Sequence, residues 1–276
     1  MIFKHGLLFS VVLLIVMISC EKSENSDYSD LNNLPEDTGG EQVAFPYLST
    51  PAAYGHYAYL PGGYESTKAN YPLIVFLHGA GEKGNSSVNP LILDMVLRNG
   101  PPKLIENGTW DPPYPCIVIS PQCHEGGWNA NKIHELIGYV TEIYRINEKR
   151  IYLTGLSMGG FGTFSYLQTY SDTGYVAAAV PICGGGNPSR AERLVNIPLW
   201  AFHGESDNTV LPIKSIEMVE AINSYSPPVK ARLTMYPGVG HNSWSMTYDG
   251  TGMGKESDEY DPFDMDIFDW MFRYSK

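Results

Sequence analysis

The sequence is poor in cysteine and in charge, and it holds no basic cluster. Four cysteines, Cys20, Cys116, Cys123 and Cys183, stand among 276 residues. With Cys20 set apart for reasons given below, three remain. They allow at most one bridge, and their spacing demands none. Basic residues number 18 against 30 acidic ones, a formal net charge of -12. Phosphate backbones are held by clustered Lys and Arg, so the composition speaks against nucleic acid as a partner. No glycine pattern of a dinucleotide fold and no phosphate-binding loop occurs. His124, His134 and the cysteines lack the ligand spacing of structural zinc, so no metal and no other cofactor is expected. No internal repeat is present. Hydrophobic residues at 43% and charged residues at 17% exclude a disordered chain.

What is present begins with an apolar run of twelve residues, Leu7 to Ile18. A bilayer span takes about 20. Lys4 and His5 precede the run and Ser19-Cys20 follow it, the layout of a secretory signal. Met17-Ile18-Ser19-Cys20 resembles a bacterial lipoprotein signal, in which the cysteine is lipidated and becomes the new N-terminus; Met17 stands where Leu is usual. The resemblance implies a signal peptide over residues 1–19 and lipidation of Cys20. It implies an exported lipoprotein at the periplasm or cell surface, touching membrane only through its N-terminal anchor. An ordinary secretory signal is the alternative. Glu21 to Glu41 carries seven acids against Lys22 alone. That texture predicts an acidic flexible tether over 20–45, followed by one catalytic domain over 46–276.

Within that domain, short apolar runs end in turn residues. They are Leu73 to Leu77, Cys116 to Ser120, Ile151 to Thr154, Val176 to Ile182, Leu199 to Phe202 and Arg232 to Tyr236. Tyr54 to Leu60 alternates like an early edge strand. Helical texture lies between runs, at Asn131 to Tyr144, Gly160 to Tyr170 and Pro212 to Ser224, and closes the chain over Asp261 to Tyr274. Continuous apolar runs of this length mark strands buried on both faces. Their alternation with helices predicts an α/β domain with a mostly parallel central sheet and helices on both faces.

Gly155-Leu156-Ser157-Met158-Gly159 matches G-x-S-x-G between a strand and a helix, the context this motif requires. The turn lifts the Ser157 hydroxyl above the sheet at the positive end of the next helix. A hydroxyl needs a base to become a nucleophile, and this arrangement supplies its partners in the order Ser, acid, His. Asp207 follows the strand ending at Phe202, and His241 follows the strand ending at Tyr236. Both therefore emerge at the carboxyl edge, where Ser157 emerges. Glu205 is too close to the strand end, and Asp249 comes after the histidine. Two backbone N–H groups must face the developing oxyanion. Met158, next after the nucleophile, supplies one. Ala80, in the loop His78-Gly79-Ala80-Gly81, supplies the other. His78 and His203 each end a strand in a His-Gly pair and are expected to brace loop backbone. Among the aromatics near this edge, Trp128 and Trp244 are the expected substrate contacts, with Gln122 also facing the cleft. Trp200 and Trp270 read as core.

The set HGAG at 78–81, GLSMGG at 155–160, HGESDNTV at 203–210 and GVGHNSW at 238–244 resembles α/β-hydrolase esterases. These are the group of dienelactone hydrolases, phospholipase/carboxylesterases and feruloyl or acetyl esterases, some labelled predicted peptidases. The resemblance runs from about Tyr54 to Tyr274. It implies the α/β-hydrolase fold and a serine carboxylic ester hydrolase acting through an acyl-enzyme. In carbohydrate-degrading members it implies an acyl group on a sugar. No lid-like insertion interrupts Val180 to Pro198, which favours short-chain or aromatic acyl esters, small or polysaccharide-borne, over long lipids. The other readings are a serine peptidase and a non-catalytic glycan-binding surface protein on the same scaffold.

Overall fold

A computed structural model describes residues 28–276. The signal peptide, Cys20 and the first part of the expected tether lie outside the described residues. The apolar runs form one eight-stranded sheet in the order β1-β2-β4-β3-β5-β6-β7-β8. The strands are β1 (Glu41–Phe45), β2 (Gly55–Leu60), β3 (Tyr71–Leu77), β4 (Ile117–Gln122), β5 (Ile146–Leu156), β6 (Ala178–Ile182), β7 (Trp200–Gly204) and β8 (Arg232–Tyr236). β1 pairs antiparallel with β2, and β2 antiparallel with β4; every other pairing is parallel.

Side chains alternate across each strand and so split the core between the two faces. Leu73, Val75 and Leu77 of β3 face one cluster, which also takes Leu136 and Val140 of α2 (Ala130–Ile143), Phe164 and Leu167 of α3 (Met158–Tyr170), and Met218 and Ile222 of α4 (Ile213–Asn223). Ile74 and Phe76 face the other cluster, with Trp200, Phe202, Trp270 and Met271. The helices there are α1 (Gly100–Glu106), α5 (Trp244–Tyr248) and α6 (Ile267–Phe272). Trp200 and Trp270 are buried there, as expected. The predicted parallel α/β architecture is what the chain forms.

The expected tether needs correction over 28–45. Leu31 is 1% exposed within the core. Asp30 pairs with the nearly buried Arg150 at 2.6 Å. Asp37 accepts from the Tyr59 hydroxyl and the Gly62 N–H, each at 2.7 Å. Glu41–Phe45 is the edge strand β1. Asp30 and Asp37 are held by specific donors on the domain, so the segment is docked rather than solvated. Cys116, Cys123 and Cys183 are buried free thiols.

Candidate active site

Four parallel strands, β5 to β8, end on one edge, and three of the connections leaving them carry Ser157, Asp207 and His241. Ser157 bridges β5 and α3 with φ 52° and ψ -115°. For a residue with a side chain this is the strained left-handed side of backbone space. The turn exists because its neighbours lack side chains. A Cβ on Gly159 would lie 1.8 Å from the Leu77 carbonyl oxygen, and one on Gly155 would lie 2.6 Å from the Gly159 oxygen.

The loops after β7 and β8 are zipped together by backbone bonds, Glu205 N–H to Tyr236 O and Ser206 N–H to Val239 O. Gly204 permits this approach, since a Cβ there would lie 2.3 Å from the Gly240 oxygen. Asp207 is thereby set under His241. Ser157 Oγ lies 2.9 Å from His241 Nε2, and His241 Nδ1 lies 2.7 Å from Asp207 Oδ2. Asp207 Oδ1 accepts from the Thr209 and Val210 N–H groups at 2.8 and 3.0 Å. Burial alone would raise the Asp207 pKa, but His241 and these two N–H donors outweigh it and hold the carboxyl below its ordinary value. The ionised carboxylate accepts a hydrogen bond from His241 Nδ1–H. That leaves the Nε2 lone pair to accept the Ser157 proton.

Gly79 brings the loop after β3 against this turn: a Cβ on it would lie 3.6 Å from Ser157 Cβ. Among the described residues, the N–H groups of Ala80 and Met158 have no intramolecular acceptor. Met158 opens the 13-residue α3, whose free N–H groups and dipole favour an anion at that end. Two unpaired donors thus stand on the loop after β3 and at the start of α3. His78 braces its loop, with Nε2 accepting from Cys123 N–H at 2.9 Å and Nδ1–H donating to Gly79 O at 2.6 Å. Burial depresses its pKa to about 4, so the ring is neutral.

Of the expected substrate contacts, Trp244 stands at the site, its ring centroid 5.2 Å from that of His241 and edge-on to it. Trp128 is half turned to structure. Its indole N–H donates to His78 O at 3.0 Å, and its ring packs edge-on to Tyr54. Gln122 does not face the cleft. It is 1% exposed, and its amide N–H groups hold Ile92 O and Glu82 O at 2.6 and 3.1 Å. β4 runs through Pro121 and Gln122, so this side chain falls inside the sheet layer.

Three further residues make contacts here that the sequence does not announce. His203 Nε2 approaches Asp207 Oδ2 at 3.2 Å. Asn99 accepts from the Trp244 indole at 3.0 Å and donates to Glu82 at 2.6 Å, joining the loops after β3 and β8. Cys183 lies beneath the triad, its sulfur and the Asp207 and His241 ligand atoms all within 4.8 Å of one another. Thiolate, carboxylate and imidazole are metal-ligand types, but burial pushes the Cys183 thiol up to about 12 and keeps it protonated.

The sheet order and the strained turn define an α/β-hydrolase fold. Residues 128–261, which contain Ser157, Asp207 and His241, match the model of the Dienelactone hydrolase family. Over 96 residues the chain is 32% identical to a bifunctional acetylxylan esterase/xylanase of Neocallimastix patriciarum, a match covering 34% of this chain and 13% of that protein. A thermostable esterase of solved structure superposes with a TM-score of 0.61 at 28% identity, over 87% of this chain and 64% of its own. A serine-to-alanine mutant of the feruloyl esterase module from Clostridium thermocellum, complexed with sinapinate, superposes at 0.58 with 19% identity, over 87% and 90%. The acetyl xylan esterase from Aspergillus awamori superposes at 0.54 with 18% identity, over 77% and 99%. The last two share the fold. The chain spans less than two thirds of the curated relative and of the thermostable esterase.

Proposed function

We propose that this chain is a serine carboxylic ester hydrolase acting on short-chain or aromatic acyl esters of carbohydrates. The observation that carries the reading is the unbroken line from Ser157 Oγ through His241 to Asp207, at 2.9 and 2.7 Å. His241 Nε2 takes the Ser157 proton as Oγ attacks the ester carbonyl. The tetrahedral oxyanion accepts hydrogen bonds from the Ala80 and Met158 N–H groups, each such donor being worth roughly a hundredfold or more in rate. His241 then returns the proton to the alcohol oxygen as its bond to carbon breaks, leaving Ser157 acylated. Water repeats the attack with the same base, releasing the acid and restoring the hydroxyl. Asp207 stays ionised throughout and stabilises the imidazolium. The cycle balances with water alone and calls for no cofactor.

The resemblance of the first residues supports export and anchoring through lipidated Cys20, with the domain facing extracytoplasmic esters. Replacing Cys20 by Ala should release the protein from membranes and leave turnover unchanged; a variant still in the membrane fraction would contradict the anchor. For the activity, acetyl, feruloyl and palmitoyl esters should be compared under one condition. The reading expects the first two to be cleaved and the third to lag. Faster cleavage of palmitoyl esters, or of peptides, would overturn it.

A further inference from the structure

The leaving alcohol of an ester receives its proton from the general acid, so it must lie on the side of the nucleophile where that acid stands. Here that acid is His241, and the wall beyond it is Trp244, edge-on at 5.2 Å. The wall is fixed. Trp244 Nε1 donates to Asn99 Oδ1 at 3.0 Å, and Asn99 Nδ2 donates to the buried Glu82 at 2.6 Å. Beside it opens a cleft of about 540 Å³, bordered by Asn99 and by Ser245, the residue next to Trp244. That volume lies within the ordinary range of small-molecule sites, roughly 300 to 1,000 Å³.

The lining is about half polar and carries charges of both signs. Lys103, Asn107 and Asp111 line the cleft, and among the described residues their side chains make no hydrogen bond or ion pair. They bring a cation, an amide and an anion, so donors and acceptors are both offered. Trp110 and Phe268 add aromatic surface, their rings packed edge-on at 4.8 Å. Asp249 and Asp266 also line the cleft, so carboxylates outnumber the lysine and an anionic ligand is disfavoured. Aromatic surface beside alternating donors and acceptors suits a neutral, polyhydroxylated ligand.

We infer that this cleft is the subsite for the alcohol half of the substrate, and that the alcohol is a saccharide. The inference rests on the proposed carbohydrate-esterase reading. It assigns Asn107, Lys103 and Asp111 to sugar hydroxyls, outside the catalytic machinery.

The test compares p-nitrophenyl acetate, whose alcohol has no sugar hydroxyls, with an acetylated xylo-oligosaccharide. The enzymes are the wild type, the double variant Lys103→Ala with Asn107→Ala, and Asp111→Ala; all three positions are exposed, so folding is preserved. Expected is a loss of roughly tenfold or more in kcat/KM on the oligosaccharide, carried by KM, with p-nitrophenyl acetate changed less than twofold. A tenfold change is what about 1.4 kcal/mol of lost contact produces. Equal losses on both esters, or none on either, would overturn the subsite. A wild type that cleaves p-nitrophenyl acetate and no sugar ester would overturn the carbohydrate reading and the subsite together. Cleavage of the oligosaccharide with an unchanged ratio in the variants would overturn the subsite alone.

Discussion

His203 Nε2 lies 3.2 Å from Asp207 Oδ2, the same oxygen that His241 Nδ1 approaches at 2.7 Å. The His203 nitrogen also faces Val210 O at 2.9 Å. Two acceptors around one nitrogen assign the proton to Nε2. Burial lowers the His203 pKa, so the ring donates as a neutral imidazole. Asp207 is thus fixed by a second histidine. In His203→Asn the carboxylate loses that donor, worth about 1 kcal/mol or more. The expected result is a kcat lower by roughly fivefold or more, with the acidic limb of the kcat profile moved to higher pH and KM little changed. A pH profile superposable on the wild type would show that His203 only fills space.

The turn at Ser157 is predicted to be intolerant at one glycine and the loop before α2 tolerant at another. Gly159→Ala would force a Cβ to 1.8 Å from the Leu77 oxygen, whereas Gly126 has nothing within 4 Å. Gly159→Ala should lose more than about 3 kcal/mol of stability or fail to fold. Gly126→Ala should stay within about 0.5 kcal/mol. Urea titrations of both measure this. Equal midpoints would contradict the packing described.

Acid should weaken the fold through the buried His78. His78 has a folded pKa of about 4 against an ordinary 6.5. Between those values the unfolded chain binds the extra proton, so stability is full above 6.5 and is lost as pH falls towards 4. A separation of that size is worth ~3 kcal/mol. The depressed pKa values of His203 and Asp207 act in the same direction. Unfolding free energies at about pH 7.5 and about pH 4.5 should differ less in His78→Asn than in the wild type. An unchanged difference would remove His78 as a cause.

Trp244 is expected to discriminate between substrates. Trp244→Ala removes the wall beside His241 and the bond to Asn99. Catalytic efficiency on a feruloyl sugar ester should fall more than on p-nitrophenyl acetate, which is too small to use the wall. The ratio of the two efficiencies measures it, and an unchanged ratio would contradict it.

The Ser157–His241–Asp207 cluster was legible because each member is tied to a local signal: Ser157 to its glycines, and Asp207 and His241 to the ends of apolar runs. The sheet was legible for the same reason, since strands buried on both faces read as continuous hydrophobic stretches. β1 escaped notice because an edge strand buries little and carries no such stretch. α1 begins Gly100-Pro101-Pro102, which reads as a break, although proline is tolerated in a first turn whose N–H groups are free. Asn99 meets Trp244 across 145 residues, and His203 meets Asp207 only because β7 ends in a tight loop. Nothing in composition or periodicity marks such contacts. Gln122 misled because β4 continues past Ser120, where the apolar pattern stops.

Ser157 is the proposed nucleophile. It is tested most directly by the turnover of p-nitrophenyl acetate in Ser157→Ala, with the fold checked by circular dichroism. The expected result is a folded protein whose kcat is lower by roughly four to six orders of magnitude. A folded variant within tenfold of the wild type would contradict it.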